Sequence, residues 1–151
     1  MTTPDAGVGR PTAVRLVRSP TLSPTAEYAY AATAPAGARL VFLAGSCPLD
    51  AEGRTVAPGD HAAQAAQCIA NLRQALVDAG ARLTDVISTR VLVASSRQAD
   101  LVAAWEVVRD AFGSHDVPST LLGVTVLGYD DQLVEVEAVA AVLDAPAPAE
   151  D

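Results

Sequence analysis

The chain reads as an α+β domain of element order βββαβαββ, in which two helices cover one face of a sheet. Three observations predict this: short β-branched runs, two apolar stripes at helical spacing, and turn residues that separate them. With 151 residues, 50% of them hydrophobic, and a mean hydropathy of +0.26, the chain suits one compact core.

The first strands fall at Ala13 to Arg18 and Tyr28 to Ala34, on either side of a Ser-Pro-rich loop. Leu40 to Ala44 (LVFLA) is a continuous apolar run stopped by Gly45, the pattern of a buried strand. Pro48 to Gly59 carries Asp, Gly and Pro at turn spacing and is expected to be an exposed loop or wide hairpin. Asp60 then has N-cap chemistry, and Ala62, Ala66, Ile69, Leu72 and Leu76 recur every three or four residues up to Gly80, which suits a left-handed cap. Val86 to Val93 is a β-branched strand. Leu101, Trp105, Val108 and Phe112 form a second helical stripe ended by Gly113. Thr120 to Val126 and Leu133 to Ala141, separated by the Gly128 to Asp131 turn, are expected to close the domain as two antiparallel strands. Residues 1–12 and the 144–151 string DAPAPAED are expected to fray, which leaves 13–143 as the folded domain. A sheet with helices on one side only needs cover on the other, and self-association supplies it.

Composition removes several functions. All ten basic residues are Arg; without lysine there is no Schiff-base chemistry, no pyridoxal-phosphate anchor and no P-loop lysine. A net charge of −8 opposes attraction to phosphate backbones, so no nucleic-acid partner is expected. No run reaches the roughly 18 apolar residues of a membrane span, the N-terminus has no signal-peptide stretch, and two cysteines make no disulfide framework. No membrane partner is expected, and a reducing, cytoplasmic location is.

Glu135 and Glu137 are two residues apart on the last strand, so both side chains project from one face, about 7 Å apart. Such a pair can supply a general base or a water anchor, or be a solvated strand face. Gly45, Ser46, Cys47 and Pro48 follow the third strand directly, where glycine lets backbone approach a ligand and successive N–H groups can bind an oxyanion. Cys47 has no histidine beside it to activate it as a nucleophile, and Cys68 on the helix is read as packing. His61 and His115 form no ligand spacing with nearby acids, so no metal site is expected, and no GxSxG elbow marks a serine nucleophile. Trp105 is read as core, interface or pocket wall.

These pieces together, Ala44-Gly45-Ser46-Cys47-Pro48, Asp85-Val86, Phe112-Gly113 and Val134-Glu135-Val136-Glu137-Ala138 in this strand order, resemble the RidA/YjgF reactive-intermediate deaminase family. The resemblance runs from about Ala13 to Leu143. It implies a chorismate-mutase-like fold assembled as a homotrimer, an inner barrel of sheets, and a ligand cleft at each subunit interface. It also implies hydrolysis of small enamines or imines to 2-keto acids and ammonia without a cofactor. Tyr28 matches a pocket tyrosine, Ser46 and Cys47 the turn that contacts ligand, and Glu135 a water-holding acid. Trp105 stands where many relatives have Asn. The family's signature arginine, which clamps the substrate carboxylate, falls on Thr120, and the last two strands hold no other Arg. The resemblance thus implies a divergent member, with Tyr28, Gly45, Ser46, Cys47, Trp105, Thr120 and Glu137 around its small-molecule substrate and Glu135 as catalytic acid/base. A neutral or larger substrate fits Thr120 better than the 2-iminobutanoate or 2-aminoacrylate of the standard deaminase, and a non-catalytic binding trimer is the alternative.

Overall fold

The computed structural model describes residues 10–145 and 149–150, so the expectations for the two ends fall partly outside the described residues. The elements are β1 (Arg15–Val17), β2 (Ala31–Thr33), β3 (Arg39–Phe42), α1 (His61–Asp78), β4 (Val86–Ala94), α2 (Gln98–Phe112), β5 (Ser119–Val124) and β6 (Val134–Val142). This is the βββαβαββ order. One short 3-10 turn, Leu83–Asp85, was not anticipated from the pattern.

β1 and β2 pair as a separate two-stranded antiparallel ribbon, and the other four strands form a sheet in the order β3-β6-β4-β5. The expected closing pair is therefore corrected. β5 runs parallel to β4, and β6 passes over to lie between β3 and β4, antiparallel to both. The alternation in β6 sets which of its faces meets the helices, not which strands flank it. Val134, Val136, Ala138 and Ala140 are all buried on the face that the helices cover.

Helix α1 begins as expected: Asp60 accepts a hydrogen bond from the Ala63 N–H at 2.9 Å. It ends in a Schellman motif. Gly80, at φ +78°, donates to the Val77 carbonyl and Ala81 donates to that of Leu76. Leu72 and Leu76 are fully buried and join Val91, Val93, Val134, Val136 and Val108 in one core between the helices and the sheet. Among the described residues, no helix is long and apolar enough to cross a membrane.

Within this core lies a fully buried amide, Gln64. Its nitrogen donates to the Asp131 carbonyl at 2.9 Å and its oxygen accepts the Leu133 N–H at 2.7 Å, which fixes the chain as it enters β6. Gln64→Ala leaves those buried backbone groups unpaired, and a loss of about 3 kcal/mol is expected. A urea midpoint that falls while the m-value stays constant is the check.

Candidate active site

The face of the sheet away from the helices carries the candidate chemistry. Because Val134 and Val136 point into the core, Glu135 and Glu137 share the opposite face, and both are half-buried. In register with them on β4 are Leu92 and Arg90, and in register with these on β5 are Leu122 and Thr120. On β3 the same alternation leaves Leu40 and Phe42 on this face, 53% and 74% exposed.

The turn after β3 is brought to Glu135 by a bulge. Phe42 faces Val139, whereas Ser46 faces Val136, so four residues of this chain segment advance past three of β6. Gly45 sits in the bulge against the Glu135 side chain, and a Cβ built there lies 2.7 Å from Glu135 Cδ. Only glycine gives the carboxylate room. Cys47 follows and donates its thiol to Glu135 Oε1 at 2.9 Å. From beneath, Asn71 of α1 donates to the carbonyls of Cys47 and Leu49 at 2.8 and 2.9 Å, which pins the turn.

The Ser46 N–H donates to the Val136 carbonyl at 2.8 Å and its carbonyl accepts from Val136. Ser46 is buried by this bridge, and its N–H is already committed and is not a donor for a developing oxyanion. The turn instead acts on Glu135 through the Cys47 thiol.

Burial first, then the hydrogen bond and charge of Glu135, push the Cys47 thiol up from 9.0 to about 11. Cys47 is thus held as a proton donor, the opposite of an activated nucleophile. Because the folded value lies above the unfolded one, this group adds stability that is fully present below about pH 9 and is lost as pH rises through about 11. Iodoacetamide labelling of Cys47 in the folded protein is accordingly expected to stay slow at pH 8 and to rise steeply toward pH 11. Rapid labelling at neutral pH would contradict it. Cys68, deeply buried, is likewise raised by burial.

Tyr28 and Trp105 lie elsewhere in the subunit. They border a cleft of about 560 Å³ together with Tyr30, Glu27 and Arg109. The Trp105 ring meets the Tyr28 ring edge-on at 5.9 Å, and its N–H donates to Glu27 at 2.8 Å. That hydrogen bond, followed by those from Arg109, holds Glu27 below the ordinary carboxylate range. Gly45, Arg90 and Glu137 border a different cleft of about 200 Å³, whose lining shares no residue with that of Tyr28 and Trp105. One subunit therefore brings Gly45, Cys47, Glu135, Glu137 and Thr120 to one sheet face and does not bring Tyr28 and Trp105 into that group.

Among the described residues, no group of three or more His, Cys, Asp or Glu side chains is placed to hold a metal ion. His115 is buried with Nε2 at 2.8 Å from the Val86 carbonyl, and His61 lies 3.9 Å from Asp100. Sequence reasoning missed Asn71 and Arg90. Asn71 carries no signal beyond a polar residue on a helix, and the place of Arg90 depends on strand order.

The fold and this sheet face define a small α+β domain with a carboxylate held by a glycine bulge beside an uncovered sheet. Residues 20–142 match the family model described as Endoribonuclease L-PSP. A RutC family protein of Pyrococcus abyssi is 32% identical over 100 residues, 66% of this chain and 76% of that protein. Among solved structures, the Rid family protein YyfB of Yersinia pestis is 28% identical with a TM-score of 0.80, over 87% of this chain and 100% of that one. Rv2704 of Mycobacterium tuberculosis, described as a member of the YjgF/YER057c/UK114 family, is 29% identical with a TM-score of 0.58, over 85% and 99% of the two chains. The chain belongs to the RidA/YjgF (Rid) family.

Proposed function

We propose that this protein converts a small imine, enamine or carbonyl metabolite by water addition or proton transfer at Glu135, in clefts formed between the subunits of a homotrimer. The observation that carries the reading is the construction around one carboxylate: a bulged glycine clears space for it, and Cys47 fixes one of its oxygens at 2.9 Å. The other oxygen remains to orient a water. For an imine, the water oxygen bonds to the carbon as Glu135 takes a water proton. The C=N π pair moves onto nitrogen, which receives that proton back from Glu135. Glu135 then relays the carbinol O–H proton to the nitrogen, and the C–N bond breaks with its electron pair leaving on ammonia as the carbonyl forms. Water and a carboxylate suffice, so no cofactor is required.

The trimer is inferred from the apolar side chains that the open face exposes, Leu40 and Phe42, and from family membership. In this reading the Tyr28 and Trp105 cleft of one copy meets the Glu135 face of the next. Two free thiols suit a reducing, cytoplasmic setting. Thr120 offers one hydroxyl where the family's arginine forks around a carboxylate, so the grip on substrate differs from that of the standard 2-iminobutanoate deaminase.

The test is release of the carbonyl product from imines generated in situ by an amino-acid oxidase. The protein is expected to accelerate it above the spontaneous rate. No acceleration with any imine, together with retained ligand binding, would make it a binding trimer.

A further inference from the structure

Three adjacent strands line up Thr120, Arg90 and Glu137 across the open face. Arg90 is thereby the one guanidinium among the described residues that this face of the four-stranded sheet presents. Its side chain is 56% exposed, and its pairing with Glu137 is one contact from Nη1 at 3.4 Å, well beyond the 2.7–2.9 Å of a tight charge-assisted hydrogen bond. A guanidinium carries five N–H donors, and this one long contact leaves most of the fork to meet a second anion. Arg90 also borders the cleft of about 200 Å³ with Gly45, Ser88, Phe42 and Glu137.

We propose that Arg90 is the anion handle of this cleft and that the site takes small monoanions, a carboxylate carried beside the imine or carbonyl carbon. The inference rests on the reading that Glu135 performs the chemistry. Glu135 faces Leu92, two residues along β4 from Arg90, so handle and base are diagonal neighbours about 7–8 Å apart at the backbone. That span fits a molecule of a few heavy atoms with its carboxylate on the guanidinium fork and its reacting carbon beside Glu135. Thr120 lies one strand further out, about 4.8 Å away, and adds a hydroxyl behind the carboxylate. The cation that the last two strands lack is supplied by the strand between them.

The experiment compares binding of pyruvate with that of pyruvamide, its neutral isostere, by calorimetry on the assembled protein. The native chain is expected to prefer pyruvate at least about tenfold, as a charge-assisted fork predicts. Arg90→Gln is expected to abolish that preference, while Arg73→Gln, on the helix side, keeps it. Equal binding of the two probes by the native chain, or an Arg90→Gln variant that still prefers pyruvate, overturns the handle. Glu135→Gln separates this inference from the reading beneath it. If that variant turns over imines normally while Arg90→Gln loses the preference, the acid/base assignment fails and the anion handle stands.

Discussion

Glu135→Gln is expected to lower turnover of an imine substrate on the order of a hundredfold or more, the range that a positioned general base supplies. The substitution keeps the side-chain volume and leaves an amide beside Cys47, so melting temperature is expected to change little. Glu137→Gln, two residues on, removes the Arg90 partner but not the Cys47 contact, and a smaller loss is expected. Gly45→Ala reaches the same base from the backbone side. A methyl 2.7 Å from Glu135 Cδ must push the carboxylate away, and because the obstacle is the far end of a flexible side chain the fold can give. Turnover is therefore expected to fall about as far as in Glu135→Gln, with the melting temperature within about 3 °C of native. If steady-state kinetics show Glu135→Gln as active as the native chain, acid/base chemistry on this strand is wrong.

Phe42→Asp is expected to have the second large effect, on assembly. Phe42 is 74% exposed in the single subunit and neighbours Leu40 on β3, so burying both against another copy supplies about 1.5–3 kcal/mol per side chain. An aspartate there puts an unpaired charge into each seam and repeats it in every copy. Sedimentation is expected to shift from three times the 15.4 kDa subunit to one, with the circular dichroism of the fold intact. If the cleft is shared between copies as proposed, turnover is expected to disappear with the assembly. A native protein that sediments as a single subunit contradicts the shared cleft.

The element order was legible because each element carries a local signal: the Asp60 cap, the Gly80 and Gly113 stops, the period-two burial of β6. Pairing was not. Nothing in Leu133 to Ala141 distinguishes a strand beside β5 from one inserted between β3 and β4, since both placements bury the same valines. The site followed the same division. Glu135 and Glu137 are neighbours in sequence and were found as a pair, whereas the Cys47 contact joins positions 88 residues apart. A turn directly after a strand suggests N–H groups open to an oxyanion, and the bridge to Val136 that occupies the Ser46 N–H exists only because β6 lies alongside. Arg90 was invisible for the same reason. On the chain it sits mid-strand, thirty residues before Thr120, and only the parallel register of β4 with β5 makes them neighbours.

Mixing two impaired variants tests the central claim most directly. Glu135→Gln and Tyr28→Ala, each expected to be strongly impaired alone, are co-expressed, and the trimers that contain both are purified. If each cleft takes its base from one copy and its aromatic wall from the next, one of the three clefts in every mixed trimer regains both intact halves, and turnover returns to about a third of native. If every cleft is built within one chain, the mixture stays as impaired as its parents.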